Sequence, residues 1–486
     1  MIYKLRPYQE ECVKSISDYI NSDRHDPVLI VGPVGCGKSL LIAEAARLMG
    51  DKTLILQPSK ELLQQNHNKI TSYGIPATIY SASCGKKELS NMIYATLGSI
   101  KKVVGQLKEM GIRNVLIDEA HAGYSPEDGS EFMTFMNELK PKKVIGFTAT
   151  PCRLKTMSIG QVSYSQLNFI TRMRPVYFKN LIHVIQVEEM IRQGFWTPLK
   201  YETWDFNGDA LKLNSNGSEY TAGSISEAVR KNGLNNLILR RLMVLKDVCR
   251  SILVFMDSVE SCNTAAEWMN AKICAGMAEV VHGGTPKKQR EAIVEGFKSG
   301  KTKVVFNYSA LGTGFDHPGL DCVIVGRPTF SFSSFYQWLG RAVRIKDGKD
   351  SALVVDCCNN SSRFGDIRKL SIENYKGYGW GMFIGDKLIT NIPMGDKVTK
   401  TDLDIKAAKK DRRRGLAQGV TAAPVPGRPD HPLGSTVMTF GKYCGWMFHS
   451  IPVSYFKFIN ETFDWDNDRN KDIKEYIDFL IKNNRL

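Results

Sequence analysis

The residues best suited to chemistry cluster in one short stretch, VLIVGPVGCGKS, from Val28 to Ser39. Its apolar, β-branched-rich start reads as a buried strand. The strand ends at Gly32 and opens into G-x-x-x-x-G-K-S, with the helix-like LLIAEAARLM behind it. Glycines at 32, 35 and 37 let backbone N–H groups curl around phosphate oxygens with no Cβ in the way. Lys38 then reaches the β- and γ-phosphates, and Ser39 holds Mg²⁺. A second chemical stretch is NVLIDEAH, residues 114–121. An apolar strand ending in two acids divides the labour. Asp118 holds Mg²⁺ through its water shell, and Glu119 orients or deprotonates an attacking water. Acid pairs at strand ends are common, so the second stretch draws its weight from the phosphate loop upstream of it.

Positioning these groups requires strands that end where the chemistry begins. Strand-like and helix-like segments alternate through KTLILQP (52–58), PATIYSA (76–82), MIYATLGSI (92–100), NVLIDEAH and KKVIGFTAT (142–150). A second series runs through SILVFMD (251–257), AEVVHG (278–283), KTKVVFN (301–307), LDCVIVGRP (320–328) and SALVVDCC (351–358), with no phosphate loop of its own. Alternation of this kind implies parallel sheets covered on both faces. Two α/β layers with one Walker lysine between them suggest a nucleotide held at their interface. The 486-residue length is too great for one core. Beyond about 360 the alternation loosens into the basic run KAAKKDRRRG (406–415) and a Pro/Gly-rich stretch (419–436) with linker composition.

Composition narrows the classes. No apolar run of about 18 residues is present, and the N-terminus lacks a signal-peptide layout, so a cytoplasmic setting (a host's, for a phage-encoded chain) with no membrane partner is expected. Eleven scattered cysteines, none in C-x-x-C spacing, argue for reduced thiols and against a zinc ribbon. The formal net charge of +15 suits a polyanion.

The ordered set GPVGCGKS, DEAH, TATP (148–151) and QWLGRAVR (337–344) resembles superfamily 2 helicases and translocases across roughly residues 1–358. The fold implied is α/β, with two tandem RecA-like parallel-sheet domains plus a small C-terminal module. Boundaries are expected at 1–175 for the first lobe, 176–360 for the second, 361–435 for a basic extension and linker, and 436–486 for the module. The cofactors implied are ATP and Mg²⁺. By the resemblance LRPYQ (5–9) reads the adenine, with Gln9 bonding its N6 and N7 and Arg6 packing on the base. Arg341 and Arg344, three apart and expected on one helix face, become arginine fingers, with Gln337 and Gly340 completing their motif. In LGTGFD (311–316), Thr313 contacts the strand backbone while Gly314 and Asp316 touch the nucleotide side. Thr148 and Thr150 match the motif that couples the lobes, a role that the resemblance also gives to Gln337.

The resemblance also places nucleic-acid contacts at Pro58 and Ser59, at Thr96 and at Ser258. Short polar groups and helix-start N–H groups suit phosphate contact, which favours backbone tracking over base readout. DEAH with TATP, QxxGRxxR and LRPYQ looks more like DNA translocases than RNA-remodelling proteins. It is similar to phage and bacterial repair or branch-migration helicases of the UvsW and RadD kind. The expected partner is therefore DNA, single-stranded, forked or branched, with RNA, or the motor role in a restriction or nuclease complex, as alternatives. The tail segment FGKYCGW…IPVSYFKFI (440–459) offers Lys442, Tyr443 and Trp446 either to DNA or to a small core, and provides a surface for a protein partner. In DWDNDRNKDIKE (464–475), Arg469 and Lys471 break the calcium-loop pattern.

Overall fold

The computed structural model describes residues 4–50, 52–159, 162–310, 315 and 317–407, with parts of 433–483. Runs such as VLIV and TLIL are wholly buried, which is why they read as continuous apolar segments and not as alternating ones. They build the first sheet from β1 (Val28–Val31), β2 (Thr53–Leu56), β3 (Thr78–Ser81), β4 (Lys86–Lys87), β5 (Met92–Ala95), β6 (Asn114–Ile117) and β7 (Lys143–Thr148). The chain then leaves as an antiparallel hairpin, β8 (Cys152–Ile159) and β9 (Val162–Phe169), before β10 (Asn180–Val184) returns to the sheet. The order is β10-β1-β7-β6-β2-β5-β3-β4, parallel but for the β3–β4 pair. Helices α1 (Pro7–Asn21), α2 (Lys38–Met49) and α3 (Lys60–Ser72) begin on suitable residues. Pro7 opens α1, left-handed Gly37 precedes α2, and the Ser59 hydroxyl caps α3 at Leu62 N.

The second sheet is all parallel, from β11 (Leu199–Thr203), β12 (Ile252–Phe255), β13 (Ala278–His282), β14 (Val304–Tyr308), β15 (Cys322–Val325) and β16 (Ala352–Asp356), in the order β11-β16-β15-β12-β14-β13. These are the two RecA-like layers. The first sheet takes its last strand from beyond residue 175, since β10 pairs with β1 from Val28↔Asn180 to Val31↔Val184. The crossing between layers therefore falls between β10 and β11.

The stretch beyond 360, expected as extension and linker, contains a third sheet of β17 (Leu370–Tyr375), β18 (Gly379–Ile384), β19 (Lys387–Leu388) and β20 (Val398–Thr399), all antiparallel. It is anchored on the rest of the first unit: Gln186 exchanges hydrogen bonds with Ile372 N and O, and Asn391 N donates to Leu167 O. The second compact unit starts at Thr401. In it the helices Val453–Thr462 and Lys471–Lys482 pack around Phe448, Phe456, Ile459, Tyr476 and Ile477. Tyr443 belongs to the edge of that core, 4.7 Å from Tyr455 ring to ring, as the structural alternative for the tail expects. Lys442, Trp446, Arg469 and residues 408–432 lie outside the described residues. Among the described residues no helix is long and apolar enough to cross a membrane.

Candidate active site

The phosphate loop follows β1 directly. Gly35 and Gly37 both sit at φ +83°, which a side chain would strain. A Cβ on Gly37 would also lie 2.6 Å from Gln9 Nε2, and one on Gly32 2.6 Å from Cys36 Sγ. The loop is held from below by α1. Gln9 Nε2 and the Tyr8 hydroxyl both donate to Cys36 O, at 2.8 and 3.1 Å, and Gln9 Oε1 accepts from Arg6 N at 3.0 Å. Gln9 thus ties α1 to the phosphate loop, a role that sequence reasoning did not assign to it, with one amide hydrogen and one lone pair left over for a base.

Lys38 Nζ stands 3.7 Å from Glu119 Oε1. Burial works against the lysine's charge, but the carboxylates of Glu119 and Asp118 outweigh it and the net shift is upward. Asp118, at the end of β6, departs from an ordinary carboxylate. Burial, then the neighbouring Glu119 charge, push it up to about 7. Its Oδ1 accepts from Glu119 N at 2.9 Å and its Oδ2 from Asn66 Nδ2 at 2.9 Å. Asn66, on α3, also donates to Gln57 Oε1 at 3.1 Å. Glu119 itself has φ +45°, an uncommon conformation for a residue with a side chain. Its Oε2 is buried, 3.4 Å from His121 Nδ1.

His121 extends this cluster across the lobes. It meets Thr148 Oγ1 at 2.8 Å through Nδ1 and Ser333 Oγ at 3.2 Å through Nε2, and Thr150 Oγ1 is 3.1 Å from the same Ser333. Burial lowers the His121 pKa, against the pull of the Glu119 charge beside it. Thr148 and Thr150 thus stand where β7 meets the helix Phe332–Leu339 of the second lobe.

That helix is the source of one correction. Arg341 and Arg344 are not on it. It ends at Leu339, and the arginines ride on the turn that follows. The carbonyls of this turn are captured from outside, by Lys349 and Thr197, instead of by a next helical turn. Gly340 lies against the phosphate loop, where a Cβ would approach Val34 Cγ2 to 2.5 Å. Arg341 Nη1 donates to Phe315 O at 2.7 Å. Burial lowers both Arg341 and Arg344 to about 10, which leaves them charged at neutral pH. With Lys38, Ser39, Asp118, Glu119, Gln337 and Gly340 they line one cleft of about 490 Å³, inside the ~300–1,000 Å³ range of small-molecule sites. Arg6 and Gln9 line it from the other end, joined by Phe195, whose ring lies 4.6 Å below the Arg6 guanidinium.

The expected nucleic-acid residues sit elsewhere, each just past the C-terminal end of a parallel strand. Pro58 and Ser59 follow β2, Thr96 follows β5 and Ser258 follows β12. Ser59 and Ser258 hydroxyls accept from backbone N–H groups as helix caps, and Thr96 Oγ1 bonds Ser81 and Ser99. Thr313, Gly314 and Asp316 lie outside the described residues. His121, Asn66, Phe195, Trp196, Thr197 and Lys349 escaped the sequence reading. His121 was visible as the last letter of DEAH. Phe195 and Trp196 signalled only as an aromatic pair between the two strand series.

Residues 2–153 match the family model described as the type III restriction enzyme res subunit, and residues 235–346 match the helicase conserved C-terminal domain. The chain is 25% identical to a 51.5 kDa protein of a Lactococcus phage (isolate 7-9), over 68% of this chain and 65% of that one. It is 24% identical to the putative ATP-dependent helicase IRC3 of Saccharomyces cerevisiae, over 57% of this chain and 38% of the relative. The chain thus spans less than two thirds of the length of these relatives. Among solved structures, the DNA-bound type ISP restriction-modification enzyme LlaBIII superposes with a TM-score of 0.55 at 15% identity, covering 87% of this chain and 31% of that one, a likeness of fold.

Proposed function

The chain belongs to helicase superfamily 2, and from that premise we propose that it is an ATP-driven DNA helicase or translocase. The observation that carries this reading is the split cleft. Lys38 and Glu119 come from the first lobe, Arg341 and Arg344 from the second, and all four line one cavity. Glycine-backed N–H groups and Lys38 bind the triphosphate of ATP. Glu119 orients the attacking water and accepts its proton at a carboxylate oxygen. The arginines meet the charge that develops on the transferred phosphoryl group, which in other NTPases is worth roughly 10³–10⁵ in rate. Arg6, Gln9 and Phe195 hold the base.

The donors present fit Mg²⁺, since one carboxylate and one hydroxyl, Asp118 and Ser39, suit an ion that keeps waters and shares substrate phosphates. When bound, the ion neutralises phosphate charge. Asn66 and Glu119 N–H orient the Asp118 carboxylate for it.

Nucleic acid then lies across the strand ends at Pro58, Ser59, Thr96 and Ser258, and lobe closure on ATP alters the grip there. The finer placing among repair or branch-migration enzymes rests on the motif resemblance. Steady-state ATP turnover with single-stranded DNA, forked DNA and RNA is the test. Stimulation greatest on DNA supports the reading, while stimulation by RNA alone replaces it with an RNA helicase. The match of residues 2–153 to a restriction-subunit model favours one second reading, a motor within a restriction or nuclease complex. Co-purification with a nuclease subunit supports that reading.

A further inference from the structure

The turn carrying Arg341 and Arg344 is built in an unusual way. In a continuing helix the carbonyls of Ala342, Val343 and Arg344 would bond to N–H groups four residues on. Here Lys349 Nζ donates to Ala342 O at 2.6 Å, to Arg344 O at 2.8 Å and to Pro318 O at 3.2 Å. Thr197 donates its N–H to Val343 O at 2.8 Å and its hydroxyl to Arg344 O at 2.8 Å. Thr197 belongs to the crossing between β10 and β11, and so does the residue before it. Trp196, 2% exposed, donates its indole N–H to Val34 O of the phosphate loop at 2.7 Å. Gly35 is fenced by the same two partners, since a Cβ there would lie 3.2 Å from Val343 and 3.4 Å from Trp196 Nε1. Adjacent residues of one crossing thus hold the phosphate loop and the arginine turn.

We propose that Trp196, Thr197 and Lys349 are positioning residues for the two arginines, with the interlobe crossing serving as a strap that ties their placement to the phosphate loop. Thr197 and Lys349 fix the arginine side with several bonds, whereas Trp196 holds the phosphate loop with one. Opening of the cleft therefore parts the Trp196–Val34 bond and leaves the arginine turn intact. The arginines return to the same place each time the lobes close. A phosphoryl-transfer site needs that reproducibility, because a misplacement of about 1 Å costs on the order of 10²-fold in rate.

This inference rests on the proposed ATP turnover, and the experiment separates the two. ATP turnover is measured for the wild type, Lys349→Met, Thr197→Val and Thr197→Ser, each also in an Arg344→Ala background, with thermal unfolding followed alongside. The expected result is a kcat loss of about 10- to 100-fold for Lys349→Met with KM for ATP changed less than about threefold. A smaller kcat loss is expected for Thr197→Val, with recovery to within about twofold in Thr197→Ser, which keeps the hydroxyl. With Arg344 already removed, Lys349→Met and Thr197→Val should cost distinctly less than in the wild-type background, since only Arg341 is left for them to place and groups acting through one another are not additive. Equal costs in both backgrounds, or wild-type kcat in both variants, overturn the proposal. Should Lys349→Met fail to fold, the Thr197→Val and Thr197→Ser pair decides between the same two outcomes. A folded wild type that turns over no ATP with or without nucleic acid removes the functional reading, and this inference with it.

Discussion

Glu119 combines an uncommon backbone conformation, a buried carboxylate oxygen and a lysine 3.7 Å away. Its substitution by glutamine keeps the shape and removes the base. We expect Glu119→Gln to bind ATP as the wild type does and to lose about 10²–10⁴-fold in kcat, read by turnover and by nucleotide binding on the same preparation. Gly37→Ala should act differently. Its Cβ meets Gln9 Nε2 at 2.6 Å and its φ is +83°, so the phosphate loop must shift. The expected outcome is a KM for ATP raised at least about tenfold, since phosphate binding depends on the N–H geometry of the loop. Residues whose chemistry follows from type and local spacing were legible in the sequence. Lys38, Asp118 and Glu119 stand where their strand ends put them. Asn66 and Lys349 were not legible, because their roles arise from partners 52 and 5–7 positions away, Asp118 in one case and the arginine-turn carbonyls in the other.

At the scale of elements, the close packing of β7 gives a direct test. A Cβ on Gly146 would lie 2.7 Å from the Phe178 ring and 2.9 Å from Ala120, beside Glu119. Gly146→Ala should destabilise the first lobe by about 1–3 kcal/mol in denaturant unfolding, the usual cost of overpacking. In the second lobe, His317 is buried against Phe297, its Nε2 3.1 Å from Ser251 Oγ. Burial, with Lys346, Lys298 and Lys349 nearby, lowers its pKa to about 4. Above the unfolded value near 6.5 the ring is neutral in both states, so its contribution is constant there. As pH falls from about 6.5 to 4 the unfolded chain takes up the proton and the folded one does not, so stability declines through that window. His317→Gln should flatten the decline by about 2 kcal/mol, allowing for residual solvent contact, in unfolding measured across that pH range. The long buried strands were readable from continuous apolar runs. The β17–β20 sheet was not, because β19 and β20 are two residues each and show no period. The arginine turn was read as helix because R-x-x-R spacing says nothing about which groups capture the carbonyls.

For the molecule, the proposed nucleic-acid path over residues 58–59, 96 and 258, together with the net charge of +15, predicts a phosphate-tracking grip. DNA affinity should fall linearly in log–log terms as salt rises, by an amount set by the phosphates contacted and little affected by base sequence. Fluorescence anisotropy with oligonucleotides of different sequence measures both. Two-lobe architecture was legible from the repeated alternation of strand and helix. The place of the crossing was not, since β10 pairs back onto β1 and so carries the first lobe past residue 175. That crossing brings Phe195 to the cleft, and Trp196 and Thr197 to the loops that wall it. Everything proposed for the molecule depends on a single ATP site shared between the lobes. ATP turnover of Arg341→Ala at saturating DNA probes that sharing at its centre. A shared site predicts a kcat lower by roughly 10³-fold or more with ATP binding retained. A kcat within about twofold of the wild type would contradict it, because the second-lobe arginine lining the site would then take no part in the chemistry.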